Sequence, residues 1–467
     1  MSTPGGAASE RQLPRELGAG HAAAIVVGTV IGSGIFLVPA EMMQAVGSPG
    51  LVYLAWIAGG VLSFFGALTY AELAALRPQT GGEYAYLRDA YGPLFGFLNS
   101  WTWFMIAKPA SIATVTAGIV RTLGEFSVFS FLPSRVFAPL PVTYEQVVAI
   151  SCALFISGLN YIGIRKAADF QLVFTILKVA MICAIVAVGF SYVRGSIGNF
   201  STRFQGAQGG IAGFMAALVA ALWAYDGWND LTMVSGEVRR PERNLPIGLI
   251  GGVAVLIGLY MAVNAAVQYV MPAAVVAVSK RPAADAVEAV LGAWGAAALS
   301  VGIAVSMLVT LNGTVMSGAR PAFAMARDGY FFRALAEVHP RFRTPSTAIV
   351  VQAIMAILLL LLAGTFKQLF SLSIFSEWLI YMAAAGTVFV FRRRGDTSPY
   401  RMWGYPVVPA VFIASSGVLL YYTFLDNLRN SIAGSLIIAA GIPIFYFFAR
   451  RKRSVEHPGG GTLGEPS

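Results

Sequence analysis

Twelve apolar stretches of roughly 18 residues or more punctuate the chain. They fall at residues 18–45, 51–76, 93–120, 143–163 and 167–193, then 210–236, 246–271, 294–318, 345–364 and 366–391, and last 406–426 and 430–450. Each is long enough to cross the hydrocarbon core of a bilayer as a helix. The pattern predicts an all-α polytopic membrane protein with twelve transmembrane helices and both chain ends on one side. Lysine and arginine number 22 on the side of the N-terminus and 8 on the other, with Lys108 and Lys178 inside spans. Because cytoplasmic loops carry the excess of basic residues, both termini are expected in the cytoplasm. The polar ends, 1–17 and 452–467, read as disordered tails.

Two spans are interrupted. Span 1 holds three glycines in the seven residues from Gly28 to Gly34, and span 6 holds the polar block from Trp223 to Asp230. Glycine costs about 1 kcal/mol per helix position, and a charged aspartate near mid-membrane several times that. Both helices are therefore expected to unwind, which a membrane tolerates only where backbone lines a cavity or packs in protein. A glycine-rich packing seam is the alternative. The interruptions lie five spans apart. That spacing fits a five-plus-five inverted repeat, 18–193 and 210–391, with helices 11 and 12 (406–450) appended.

Composition narrows the class. Of 467 residues, 57% are hydrophobic and 12% charged, about half the charge of a soluble domain. A soluble enzyme, a disordered chain and a disulfide scaffold are excluded. The net charge of +10 sits at the ends of apolar runs and not on one module, so nucleic acid is not the partner; lipid is. Cys152 and Cys183 lie in separate apolar runs and read as free buried thiols. The three histidines have no metal-ligand spacing, so no metal and no cofactor is expected. The first 17 residues are polar and the run after them too long for a signal core, so no cleavable signal peptide is expected.

A broken helix offers what a zwitterion needs. The half-helix starting near Ser33 and Gly34 presents unpaired N–H groups and a positive dipole end to a carboxylate. Free carbonyls at Thr29 to Ile31, including Val30, and at Leu222 to Tyr225 suit an ammonium group. Trp223 is either a lid over the cavity or a packed aromatic. Asp226 either selects a cationic side chain or couples a proton, or else caps the second half of span 6. Lys178 lies about 16 Å into span 5 at 1.5 Å per residue, too deep to snorkel. It should meet the unwound carbonyls of span 1 or pair with an acid. Lys108, followed by Pro109, hints at a kink in span 3. Glu72, Glu237, Glu377 and Asp426 read as salt-bridge or helix-end residues. Asn229 and Asn312 could bond strained backbone, and Met307 to Asn312 (with Leu308 and Leu311) and Trp378 are candidate lining. Pro78 to Tyr84 reads as a tight turn with no phosphate-cradle pattern.

These residues together resemble a known family. Ile31-Gly32-Ser33-Gly34-Ile35-Phe36, Pro78 to Tyr84, and Gly227-Trp228-Asn229 followed by Glu237 and Pro241-Glu242-Arg243-Asn244 look like the amino acid–polyamine–organocation superfamily. Phe174-Thr175 with Lys178, Leu311-Asn312-Gly313 and Arg327-Asp328-Gly329 are similar to its L-type amino acid transporter branch, bacterial exchangers included. The resemblance, over about 18–450, implies a LeuT-like fold, an amino acid held between spans 1 and 6, and sodium-independent exchange. It would give Ser33 and Gly34 the carboxylate, carbonyls near Val30, Ile31 and Trp223 the amine, Trp223 the gate, and Lys178 the place of a sodium ion. Animal members bond a glycoprotein partner through a cysteine after span 3. Residues 121–142 have none, so no disulfide-linked heavy-chain glycoprotein is expected. Asp226 stands where several neutral-selective members have glycine, which leaves selectivity open.

The expectation is an inner-membrane exchanger of neutral L-amino acids working by alternating access, and not an enzyme. The rival is a proton-coupled symporter of cationic or small neutral amino acids. The sequence has neither the nucleophile–base pair of an enzyme nor the charged ring of a channel.

Overall fold

In the computed structural model, residues 13–124, 131, 136–137, 142–362, 366–426 and 428–456 are described. Helix occurs at every predicted stretch. The first is a bent pair, α1 (Ala19–Val30) and α2 (Gly34–Val46), at 41°. After α3 (Pro49–Leu76), a turn and the short α4 (Glu83–Tyr91), α5 (Pro93–Gly124) follows. A hairpin of β1 (Val136–Phe137) and β2 (Val142–Thr143) leads into α6 (Tyr144–Tyr161) and α7 (Ile164–Phe190). The second interrupted element is α8 (Gly210–Ala224) with α9 (Asp230–Met233). Then come α10 (Pro241–Val270), α11 (Ala273–Val278), α12 (Pro282–Arg327), α13 (Ser346–Leu362), α14 (Phe366–Arg393), α15 (Val407–Asp426) and α16 (Leu428–Glu456).

By length and mean hydropathy, seven described helices can cross a bilayer, or eight with α1 and α2 taken as one span. The break leaves α8 only 15 residues, and α13 has 17. Local signals set the ends. Ser48 caps α3, its Oγ accepting from the Leu51 N–H, with Pro49 at the first helical position. Thr143 and Gln146 form a reciprocal capping box on α6.

Several charged and polar groups are buried while large apolar ones face outward. Leu51, Leu54, Ile57 and Val61 form an exposed stripe on α3, and Val173, Ile176 and Leu177 do the same on α7. Lys108, Lys178, Asn312, Glu237 and Arg320 are all buried. That inversion is what a lipid solvent imposes. The cysteines are free but not buried: Cys152 is half-buried and Cys183 exposed, on outward helix faces.

The tail prediction needs correction at its inner edge. Leu17 is fully buried and pairs with Val238, with Glu16 N and Leu17 N donating to the Glu237 carbonyl at 2.9 and 3.0 Å. The backbone after α9 offers an open edge that residues 13–17 complete. The last helix also runs on to Glu456; residues 1–12 and 457–467 lie outside the described residues.

Candidate functional site

The two breaks face each other. Ile31 ends α1 and Ser33 precedes α2, and among the described residues no backbone acceptor meets the N–H of Ser33 or Gly34. Residues 225–229 form the turn between α8 and α9, where Gly227 takes a φ of 101° that a side chain would strain. A Cβ on Gly34 would stand 3.2 Å from Ala224 Cα and 3.4 Å from the Trp223 ring. A side chain there would push the two breaks apart by a few tenths of an ångström.

Between them lies a cavity of about 120 Å³. The first break supplies Thr29, Val30, Gly32, Ser33 and Gly34; the second supplies Trp223, Ala224, Asp226, Gly227, Asn229 and Asp230. Helix α5 adds Trp103, Lys108, Ser111, Thr114 and Val115, α12 adds Met307, Thr310 and Thr314, and α14 adds Glu377 and Tyr381. The face of α12 is therefore turned by one position from the expected one. Leu308 and Leu311 do not line the cavity, and Leu311 is fully buried elsewhere. Asn312 instead donates to Ala167 O and Gln171 Oε1 and accepts from Asn160, binding α12 to α6 and α7. Trp378 likewise packs on Phe412 and Tyr381 outside the cavity, while Glu377 lines it. The Asp426 side chain lies outside the described residues.

The carbonyls at the first break already have donors. Lys178 Nζ donates to Gly28 O at 2.8 Å and Ile31 O at 2.5 Å. The hydroxyls of Ser306 and Thr310 also reach Ile31 O, at 3.0 and 3.1 Å. Three donors saturate that carbonyl, so Ile31 faces Lys178 and does not line the cavity. Of the two partners expected for Lys178, it takes the carbonyls. Tyr260 in α10 was missed by sequence reasoning: its hydroxyl lies 2.9 Å from Ala224 O and 3.2 Å from Val30 O, spanning the two breaks. One phenol in a long apolar run gives no signal of such a role.

Asp226 is not the cap. The N-cap of α9 is Asn229, whose side chain makes no capping bond. Asp226 Oδ1 and Asn229 Oδ1 each lie 2.9 Å from the Tyr381 hydroxyl, whose single proton serves one at a time. Lys108 pairs with Asp230 and lies 4.8 Å from the Trp103 ring centre. The kink expected at Lys108-Pro109 is a π-helical turn at Trp103–Ala107, just before the proline.

Glu83, in the loop helix α4, accepts from Asn229 Nδ2 at 3.0 Å and Trp103 Nε1 at 2.6 Å. Burial raises its carboxyl from 4.5 to about 7, against the pull of those hydrogen bonds. Its contribution to stability is complete below about 4.5 and lost as pH rises through about 7. The melting temperature in detergent should fall between pH 5 and 8 more steeply in the wild type than in Glu83→Gln. Equal slopes would remove Glu83 as the cause.

The comparisons with known proteins fit this geometry. The family model described as amino acid permease matches residues 17–449. The chain belongs to the amino acid permease family. The serine/threonine exchanger SteT of Bacillus subtilis (strain 168) is 33% identical over 455 residues, 95% of this chain and 98% of its own length. The human b(0,+)-type amino acid transporter 1 is 32% identical over 87% of this chain and 82% of its own length. The human cystine/glutamate transporter is 28% identical over 94% and 86%.

Permeases are transporters and not enzymes. Among the described residues no three His, Cys, Asp or Glu side chains cluster as metal ligands would.

Proposed function

We propose that this permease is a sodium-independent exchanger of neutral L-amino acids that works by alternating access. The observation that carries the reading is the pair of breaks opening onto one small cavity, with the unpaired N–H groups of Ser33 and Gly34 at its edge. In this reading those groups take the substrate carboxylate. The amine goes to the lone pair Tyr260 leaves on Val30 O and to the carbonyl end of α8 at Trp223. Trp223, lining the cavity and half-buried, closes over the bound amino acid. Lys178 does the work of a bound cation, fixing the carbonyls of α1. The names of SteT and of the b(0,+)-type and cystine/glutamate transporters all denote amino acid carriers, which supports the substrate class.

The helices at all twelve stretches support a twelve-span chain whose repeats are 18–193 and 210–391. The 22-to-8 distribution of basic residues supports cytoplasmic termini in an inner membrane. With no cysteine in 121–142, the reading needs no disulfide-linked glycoprotein.

Counterflow in proteoliposomes tests it. Radiolabelled neutral amino acid should enter sodium-free vesicles only when they are preloaded with unlabelled amino acid. Accumulation in empty vesicles under a pH gradient alone would instead establish the proton-coupled rival.

A further inference from the structure

A second cavity, of about 610 Å³, lies where the segment ahead of α1, the turn after α3 and the end of α12 meet. It shares no lining residue with the cavity between the breaks. The charged side chains on its wall are Arg15, Arg88, Arg327 and Asp328, and Gln79 and Thr80 are polar neighbours in the same lining. Three guanidinium groups against one carboxylate give that wall a formal charge of +2. The one acid is already engaged: Asp328 Oδ2 accepts from the Tyr84 hydroxyl at 2.6 Å and from Arg88 Nη1 at 2.5 Å. Arg88 is engaged as well, with Nε donating to Asp89 Oδ1 at 2.8 Å and Nη2 to Gln79 Oε1 at 3.0 Å. Those bonds fix it as a positive part of the wall.

The groups without a partner are donors. Among the described residues, no acceptor meets the Arg15 guanidinium, the Gln79 amide nitrogen or the Thr80 hydroxyl. An acceptor-rich anion completes such a set, and the planar fork of arginine matches phosphate and carboxylate oxygens. The charge decides between them. A carboxylate brings one negative charge, whereas a phosphate monoester brings about −1.5 to −2 at pH 7 with three strong acceptor oxygens. The turn from Pro78 to Tyr84 lacks the backbone pattern of a phosphate cradle, and here side chains supply the donors instead. We propose that this second cavity binds a dianionic phosphate group, attracted by Arg15, Arg88 and Arg327, with Gln79 and Thr80 as further donors. A soluble phosphate and a monoester lipid headgroup present that same chemistry.

An occupant would tie together three segments far apart in sequence, so the thermal midpoint of the full chain in a neutral detergent is the readout. One probe is inorganic phosphate, with sodium chloride at equal ionic strength as its control. The other is phosphatidic acid mixed into phosphatidylcholine, with phosphatidylcholine alone as its control. At least one probe should raise the wild-type midpoint saturably. A shift with inorganic phosphate assigns a soluble ligand, and a shift with phosphatidic acid alone assigns a lipid headgroup. Arg15 and Arg327 are exposed, so both can be replaced without opening the core. Arg15→Gln/Arg327→Gln should weaken the apparent affinity by about tenfold or more. Arg451→Gln, which removes an exposed cation outside the cavity, should leave it unchanged. No saturable shift beyond the controls with either probe would overturn the site. So would an affinity unmoved in the double variant, or one lowered equally by Arg451→Gln, which would mark diffuse surface charge.

Discussion

Lys178→Met is expected to reduce counterflow by about a hundredfold or more and to leave it insensitive to added sodium. The ammonium makes two charge-assisted bonds to carbonyls at the end of α1, Gly28 O and Ile31 O, where helix geometry supplies no donor. A hydrogen bond involving a charged group contributes about 1.5–3 kcal/mol. Losing two therefore removes about 3–6 kcal/mol from whichever conformation contains them, and 1.36 kcal/mol is tenfold in rate. Ser306 and Thr310 still reach Ile31 O, so the break does not collapse outright; Gly28 O keeps only the long 3.4 Å contact from Thr310. The effect should thus appear in transport more than in yield. Methionine fills the volume of the lysine stem, which leaves no room for a sodium ion to replace the lost charge. Near-wild-type exchange by Lys178→Met would sink the surrogate role, and sodium-restored exchange would sink the steric half of the argument.

Depth was the legible part of this site, and rotation was not. The glycine cluster and the polar block announce the two breaks because each is costly in a lipid-spanning helix. Lys178 announces its partners because no interface is within its reach. Those arguments use position along the helix axis, which sequence gives directly at 1.5 Å per residue. Which side of α12 faces the cavity depends on azimuth, and an all-round apolar helix carries no moment to fix it. The lining consequently follows Met307, Thr310 and Thr314, while Leu308, Leu311 and Asn312 turn away. Asp226 misled for a related reason. Capping propensity counts only local geometry, and Tyr381, 155 residues on, offers the carboxylate a different partner. The Lys108–Asp230 pair was invisible for the same cause, since it joins residues 122 apart.

A second buried pair sets a limit on what the fold tolerates, and Arg320→Met should lower the thermal midpoint in detergent severely. Arg320 and Glu237 are both fully buried. The guanidinium donates through Nε to Glu237 Oε1 at 2.9 Å and through Nη2 to Oε2 at 3.2 Å, with Nη1 on Met316 O. Glu237 also anchors residues 16 and 17, since its carbonyl accepts from the Glu16 and Leu17 N–H groups. One residue thereby joins α12, the segment after α9 and the start of the chain. Removing one partner of a buried ion pair leaves an uncompensated charge and costs about 3–5 kcal/mol, whereas replacing both with apolar side chains is often neutral or better. The double variant Arg320→Met/Glu237→Leu should therefore melt well above Arg320→Met alone, although it carries one more substitution. That ordering separates the two ways a mutation here could act. Loss of packing volume would add across the two sites, so a double variant less stable than either single one would show that these side chains matter as filler and not as a charge pair.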